Sequence, residues 1–205
     1  MQLDEVGRGF SFQADGPLDM RMSLKGPTAA DIVNGASEEE LARILYVLGE
    51  ERRSRAVARA IVKARAEAPI TTTRALADLV GRVLGPRKED GKHPATRTFQ
   101  ALRIVVNREL ENLRAFLEEC PNLLIPGGRL CIISFHSLED RIVKDYFRRW
   151  AKGEEGEMPS WRILTPKPVI PSEEETFSNP RARSAKLRVA EKTFTAENTE
   201  NAERN

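Results

Sequence analysis

The spacing of apolar residues divides the chain into a helical stretch and a later strand-bearing one. At SEEELARILYVLGEE, Leu41, Ile44, Leu45 and Leu48 fall at helical spacing behind Ser37, a suitable N-cap, and Glu40 three residues on completes a capping-box pattern. Residues 52–66 repeat the period with Val57, Ala60, Ile61 and Ala64 on one side. Thr73 opens a third helix carrying Leu76, Leu79, Val80 and Val83, which Gly85 and Pro86 stop. Past the polar linker GPRKEDGKHP, Pro94 suits the first position of a fourth helix, where its missing N–H does no harm. In that helix Phe99, Leu102, Val106, Leu110, Leu113 and Leu117 recur at three- and four-residue steps, predicting one long amphipathic element with Arg97, Arg103, Arg108 and Arg114 on its polar side.

After Cys120 the period changes. LLIPGGRLCIISF reads as a short apolar run, a Pro-Gly-Gly turn and a strand apolar on both faces, which predicts a position inside a sheet covered by helices. Ser137 and Asp140 then form a capping-box pair for a helix burying Leu138, Ile142, Val143, Tyr146 and Phe147. Residues 151–180 read as mostly irregular, with WRILTPKPVI a candidate strand. SAKLRVAEK alternates as a last strand with Ala185, Leu187 and Val189 on one face. Residues 1–30 are turn-rich, without helical or strand period, and the tail from Thr195 has no apolar pattern and reads as disordered. So long an irregular start is unusual in a compact domain unless it is functional.

Composition narrows the class. The 205 residues are 40% hydrophobic and 31% charged, ordinary for a soluble globular protein, and no segment has the apolar length needed to cross a bilayer. MQLDEVGRGF lacks the features of an export signal, so the expectation is a cytoplasmic protein with no membrane partner. Cys120 and Cys131 match no zinc spacing and are expected to be packed thiols. The net charge of +2 conceals a basic middle: Glu51 to Glu119 holds 15 Lys and Arg against 9 Asp and Glu. That suits a polyanionic partner, or simply a solvated helical surface.

One junction carries candidate chemistry. Ser134, Phe135, His136 and Ser137 lie between the apolar strand and the following helix, and one of the chain's two histidines is among them. Ligands of open α/β sheets bind at the carboxyl ends of strands, and a helix start offers free N–H groups to an anionic or carbonyl-bearing ligand. The plainer reading is a histidine that only bonds backbone beside a cap.

Four segments in order, GRGFSFQADGPLDMRM, KHPATRTFQALRIVVNRELENL, IPGGRLCIISFHSLEDRIVK and NPRARSAKLRVAE, together resemble the bacterial ribosomal-RNA cytosine-N4 methyltransferases, the RsmH or MraW family, over most of residues 2–193. The resemblance implies an α/β fold: a class I S-adenosylmethionine-dependent, Rossmann-like sheet with an inserted helical subdomain. It implies methylation of the exocyclic N4 of a decoding-site cytosine, position 1402 of 16S ribosomal RNA, in the small ribosomal subunit. Residues 1–36 would then belong to the active-site loop region, 37–119 to the helical insertion for RNA recognition, 120–193 to the later part of the Rossmann-like domain and 194–205 to a tail.

The family's glycine-rich cofactor loop and its acidic ribose-binding residue have no counterpart here. Met1-Gln2-Leu3-Asp4 resembles the interior of a family motif, so the chain reads as the C-terminal two-thirds of an enzyme, its sheet incomplete, with Gln2 the one cofactor-binding residue carried over. By the same resemblance Ser134, His136 and Ser137 are the catalytic candidates, and no metal is called for. Phe10, Phe12, Asp19 and Arg21 would close over the base, the phenylalanines otherwise serving as loop anchors. His93 with Arg97, and Arg181 with Arg183, are the RNA phosphate candidates, or else ion pairs within the fold. A non-catalytic RNA-binding or ribosome-associated remnant is the alternative function, a ligand-free helical scaffold a third. A homodimer stands open beside a monomer.

Overall fold

A computed structural model of the protein describes residues 5–85, 93–153 and 160–193. Gln2, most of the polar linker and the tail lie outside the described residues. The chain divides into two compact units, Met1–Glu109 and Leu110–Asn205.

The first unit is helical: α1 (Ala29–Gly35), α2 (Glu38–Val47), α3 (Ser54–Glu67), α4 (Thr73–Leu84) and α5 (Thr96–Asn107). Leu41, Leu45, Val57, Ile61, Leu76, Val80, Phe99 and Leu102 meet in its core. Ser37 caps α2 by accepting the Glu40 N–H at 3.1 Å. At α4 the cap is Thr72, which accepts from Ala75 N–H. Thr73, fully buried, instead donates to Ala14 C=O and accepts from Gly16 N–H, fastening the preceding loop.

The irregular start is ordered by that fastening. Leu18 and Met20 are buried in the helical core, and Leu18 N–H bonds Thr71 C=O while Met20 N–H bonds Arg8 C=O. Gly9 adopts φ +68, where an added Cβ would sit 2.1 Å from Pro17 C=O, so only glycine fits. Within the expected loop lies α1, which period analysis overlooks because it is two turns long. A reciprocal Thr28–Asp31 box starts it.

The predicted long fourth helix is corrected. It starts at Thr96, not Pro94, and breaks at Arg108, whose φ 50 and ψ 40 are left-handed. Beyond the break runs α6 (Glu109–Glu119). Hydrophobic spacing cannot register a one-residue break that keeps the apolar stripe in step.

The second unit places α7 (Ser137–Lys152) against a three-stranded sheet of β1 (Arg129–Ser134), β2 (Trp161–Ile163) and β3 (Lys186–Lys192), in the order β1-β3-β2, with α8 (Glu173–Ser178) before the last strand. All pairings are antiparallel, so no parallel Rossmann-like sheet forms among the described residues. Register opposes Leu130 to Ala190 and Ile132 to Arg188, and Ala190 and Arg188 are buried. Ala185, Leu187 and Val189 are half-buried, and Leu187 and Val189 share the face opposite Ala190 and Arg188 with Ile133 and Cys131. Strand β1 is not covered on both faces, since Ile133 is 58% exposed and Cys131 is exposed rather than packed. Cys120 is buried, which pushes its thiol up to about 11. Phe147, Trp150 and Trp161 stack between helix and sheet, the two tryptophan rings 4.8 Å apart.

On the α7 side, Arg188 is clamped to Asp140 through Nε to Oδ1 at 2.6 Å and Nη2 to Oδ2 at 3.3 Å. Lys186 Nζ stands 3.6 Å from the same carboxylate. Burial acts to raise the Asp140 pKa, but the hydrogen bonds and charges of Arg188 and Lys186 together hold it below its ordinary 3.8. A depressed carboxyl contributes stability above its unfolded value and loses it as pH falls through the folded one. Asp140→Asn should therefore destabilise this unit by about 3 kcal/mol at neutral pH, since it strands a buried guanidinium. It should also flatten the decline of stability below about pH 4. Urea unfolding followed by the fluorescence of Trp150 and Trp161, both in this unit, measures each effect.

Candidate functional site

Two constellations hold the predicted residues, one in each unit. In the first, Asp19 and Arg21 form a fork: Arg21 Nε donates to Oδ1 and Nη2 to Oδ2, both at 2.8 Å, and Arg21 N–H also bonds Oδ1. Arg21's hydrogen bond is the largest influence on Asp19 and holds its carboxyl below the ordinary value against the opposing effect of burial. The carboxylate stays an acceptor with capacity left on Oδ2.

Between the forked residues sits Met20, fully buried with φ +62, a conformation disfavoured for a side chain by about 1–2 kcal/mol. Asn107, at the end of α5, holds it there. Its Nδ2 donates to Met20 C=O at 2.8 Å and its Oδ1 accepts Met22 N–H at 2.7 Å, bracketing Arg21 on both sides. Arg8 Nη1 adds a bond to Met22 C=O at 3.2 Å. The tip beyond this brace presents Met22 and Leu24, 42% and 82% exposed.

Phe10 and Phe12 lie half-buried against the helical core. Phe12 packs on His93 and edge-on to Phe99, with centroids 4.6 and 4.8 Å away, which makes it a loop anchor whatever else it does. His93 accepts Ala95 N–H through Nδ1 at 3.1 Å, and exposed Arg97 donates to Glu50 C=O.

In the second unit, the turn from β1 to α7 is organised by Glu139. Its Oε2 accepts Phe135 N–H at 2.8 Å and His136 N–H at 3.3 Å, while His136 Nδ1 accepts Glu139 N–H at 3.4 Å. The capping box is therefore His136 with Glu139, a correction by one residue of the expected Ser137 with Asp140. Of the N–H groups at this junction, those of Phe135 and His136 are occupied by the turn's own carboxylate. Accepting at Nδ1 requires an unprotonated nitrogen there, so the neutral ring carries its proton on Nε2, 3.4 Å from Glu139 Oε1. Ser134 is buried and donates to Lys186 C=O at 3.4 Å. Phe135 is 53% exposed.

A model of the MraW methylase family matches residues 1–193. The chain belongs to the MraW methylase family. "Ribosomal RNA small subunit methyltransferase H" of Bradyrhizobium diazoefficiens is 60% identical over 202 residues, covering 94% of this chain and 61% of the relative. The protein of the same name from Nitrobacter hamburgensis is 60% identical over 202 residues, covering 94% of this chain and 60% of its own. That from Nitrobacter winogradskyi is 57% identical over 212 residues, covering 99% and 64%. The chain thus spans about three-fifths of the length of these curated relatives.

For a MraW family member the residues of the methyl donor's site are the first question. The described residues do not form a cradle for S-adenosylmethionine. Gly127 and Gly128 precede a strand and pair with Lys192 backbone, the β1-to-α7 turn has no glycine, and Gln2 lies outside the described residues. Arg181 and Arg183 are exposed in the short 3-10 turn Pro180–Ser184 ahead of β3.

Sequence reasoning missed Asn107, Arg8 and Glu139. Glu139 carries a usable signal, since His136-x-x-Glu139 is a capping box once histidine is admitted as a cap. Asn107 carries none, its loop partners lying 85 and 87 residues away. Asn107→Ala should speed exchange of the Met22 amide up to about ten-fold, the effect of losing one hydrogen bond of roughly 1 kcal/mol, while amides within α3 keep their protection. Amide exchange by NMR checks this, and an unchanged Met22 rate removes Asn107 as the brace.

Proposed function

We propose that the chain is the nucleobase-binding portion of an enzyme that methylates N4 of cytosine 1402 in 16S ribosomal RNA, with S-adenosylmethionine as donor, in the cytoplasm. Family membership supports the reaction class, and the relatives' printed name supports a small-subunit ribosomal RNA substrate. The observation that carries the reading is the strand-to-helix turn, where an exposed aromatic ring, a histidine and a carboxylate converge at the carboxyl end of β1. An incomplete class I sheet belongs to the same reading. Both β1 and β2 have an open edge among the described residues, and Ile133 and Cys131 face outward from β1, as expected of strands that extend into a larger sheet.

The exocyclic amine of cytosine is a weak nucleophile because its lone pair is delocalised into the ring. Residues on the base side can help by orienting that amine, accepting its hydrogen bonds and taking a proton as it becomes tetrahedral. In this reading Phe135 offers a stacking face to an unstacked base. His136 donates through Nε2, Ser134 and Ser137 border the turn, and Glu139 fixes the ring's orientation. Asp19, held ionised by Arg21, is a second acceptor, and Phe10 and Phe12 anchor the loop that bears it. Arg181, Arg183, His93 and Arg97 are assigned to phosphates, which position RNA without reading its sequence.

A second reading, a non-catalytic RNA-binding protein, is favoured by one observation: the Phe135 and His136 N–H groups just ahead of α7 are already filled by Glu139.

Two substitutions separate capping from chemistry at His136. In the full-length enzyme, His136→Ala loses both and should lower methyl transfer on the order of a hundred-fold. His136→Asn supplies an able N-cap and should recover most of the roughly 1 kcal/mol of stability lost by the alanine variant. It should not recover the rate. Single-turnover methylation of 30S subunits with thermal melts reads both, and full activity in the asparagine variant would confine His136 to the cap.

A further inference from the structure

We propose that Met22 and Leu24, at the tip of the loop between Met20 and α1, form an apolar wedge that enters the base stack of an RNA strand and fills the place left by an extruded nucleotide. This rests on the reading of the chain as the nucleobase-binding portion of an RNA-methylating enzyme, and it gives a role to two residues which that reading leaves without one.

The tip reverses the usual polarity of a surface loop. Its charged and polar side chains turn inward to hold backbone, while its apolar ones turn out. Arg21, its side chain only 22% exposed, directs Nε and Nη2 to Asp19 and Nη1 to the Leu24 and Gly26 carbonyls, 3.0 and 3.3 Å away. Arg8 takes the Met22 carbonyl and Asn107 the Met22 N–H, so this residue is gripped through its backbone from both sides. Ser23 Oγ donates to Lys25 C=O at 3.4 Å. Leu24 is left 82% exposed. One exposed apolar residue on a surface is ordinary. Two of them on a short tip whose backbone is held by Arg8, Arg21 and Asn107 are presented in a set direction.

The surrounding chemistry selects the partner. From Met20 to Ala30 the chain has Arg21 and Lys25 and no acidic residue, and Lys25 is exposed next to Leu24 in sequence. An apolar tip framed by positive charge fits a partner that offers apolar surface framed by negative charge. An opened base stack is such a partner, with flat apolar faces strung between phosphates. Leucine and methionine are among the side chains that proteins insert between base steps. Position agrees with this. Asp19, the proposed acceptor for the cytosine amine, lies three residues before Met22, which keeps their Cα atoms within about 11 Å even if the chain were fully extended. An extruded base and the gap it leaves are neighbours on one strand, so the group that receives the base and the group that fills the gap have to be close together.

The test uses the intact chain and a fluorescein-labelled RNA hairpin with one target cytosine and 2-aminopurine on its 3′ side, a base whose fluorescence is quenched while it is stacked. Affinity is read by anisotropy between about 50 and 200 mM salt. Binding of the parent should raise the 2-aminopurine signal several-fold. The double variant Met22→Ser, Leu24→Ser should lose most of that rise and bind on the order of ten-fold more weakly. Its slope of log affinity against log salt should stay that of the parent, because no charge is removed. The exchange Met22→Leu with Leu24→Met keeps an apolar wedge and should keep the rise. Both side chains are exposed, so circular dichroism should show both variants melting with the parent. If the parent gives the rise and the serine variant matches it, or if the parent binds without a rise, the wedge is overturned and the RNA-methylating reading stands. Should the parent bind no RNA, both fall. Binding to phosphatidylglycerol vesicles that the serine variant loses, while its RNA signal survives, would make an anionic lipid surface the partner and overturn the base stack.

Discussion

A backbone N–H or C=O buried without a partner is costly, so wherever regular structure stops in this protein a side chain has to stand in for the missing strand or helix turn. Asn34 does so for Ile70, bonding both its N–H and its C=O at 2.9 Å as a β-partner would. Asn107 does the same across Met20 and Met22, and Thr73 across Ala14 and Gly16. In the second unit Thr165 Oγ1 accepts Val189 N–H where β2 has ended, and Lys192 Nζ donates to Pro121 and Leu124 carbonyls at the entry to β1. These substitutions let an irregular chain of more than twenty residues take part in a helical core.

Charge follows a related logic. On the sheet, cations converge on a carboxylate: Arg188 and Lys186 on Asp140, and the exposed Arg129 and Arg162 on Glu191. Arg162 and Glu191 are cross-strand neighbours, as are Arg129 and Glu191, so the carboxylate ties three strands on the sheet face away from α7. The exposed pairs add little to stability, whereas the Arg188 pair is buried and would leave a stranded charge if broken.

The helical period read from the chain gave α2, α3, α4 and α7 with their buried faces nearly intact, because Leu41, Val57, Leu76 and Phe147 each sit on a stripe that one local period defines. What could not be read depends on residues far apart. The inward face of β3 is set by Arg188, a charged residue that alternation rules place outside, and only the presence of Asp140 on α7 makes its burial tolerable. The break at Arg108 is invisible for a similar reason: Asn107 is engaged with a loop more than eighty residues earlier. Ser134, His136 and Ser137 were legible as a junction, yet the group organising it, Glu139, emerges only when a histidine is seen acting as a cap.

That cap constrains what the turn can do. With Nδ1 facing the Glu139 N–H and Glu139 Oε2 bound to two backbone N–H groups, the ring is oriented from one side and the carboxylate from the other, so neither is free to swing. A preorganised pair of this kind suits electrostatic positioning better than shuttling, because its geometry is set before a substrate arrives and needs no reorganisation. The same rigidity accounts for the use of histidine as the cap: serine or aspartate would accept the helix N–H as well, but neither would place a second polar atom, on the far side of a flat ring, beside the carboxylate.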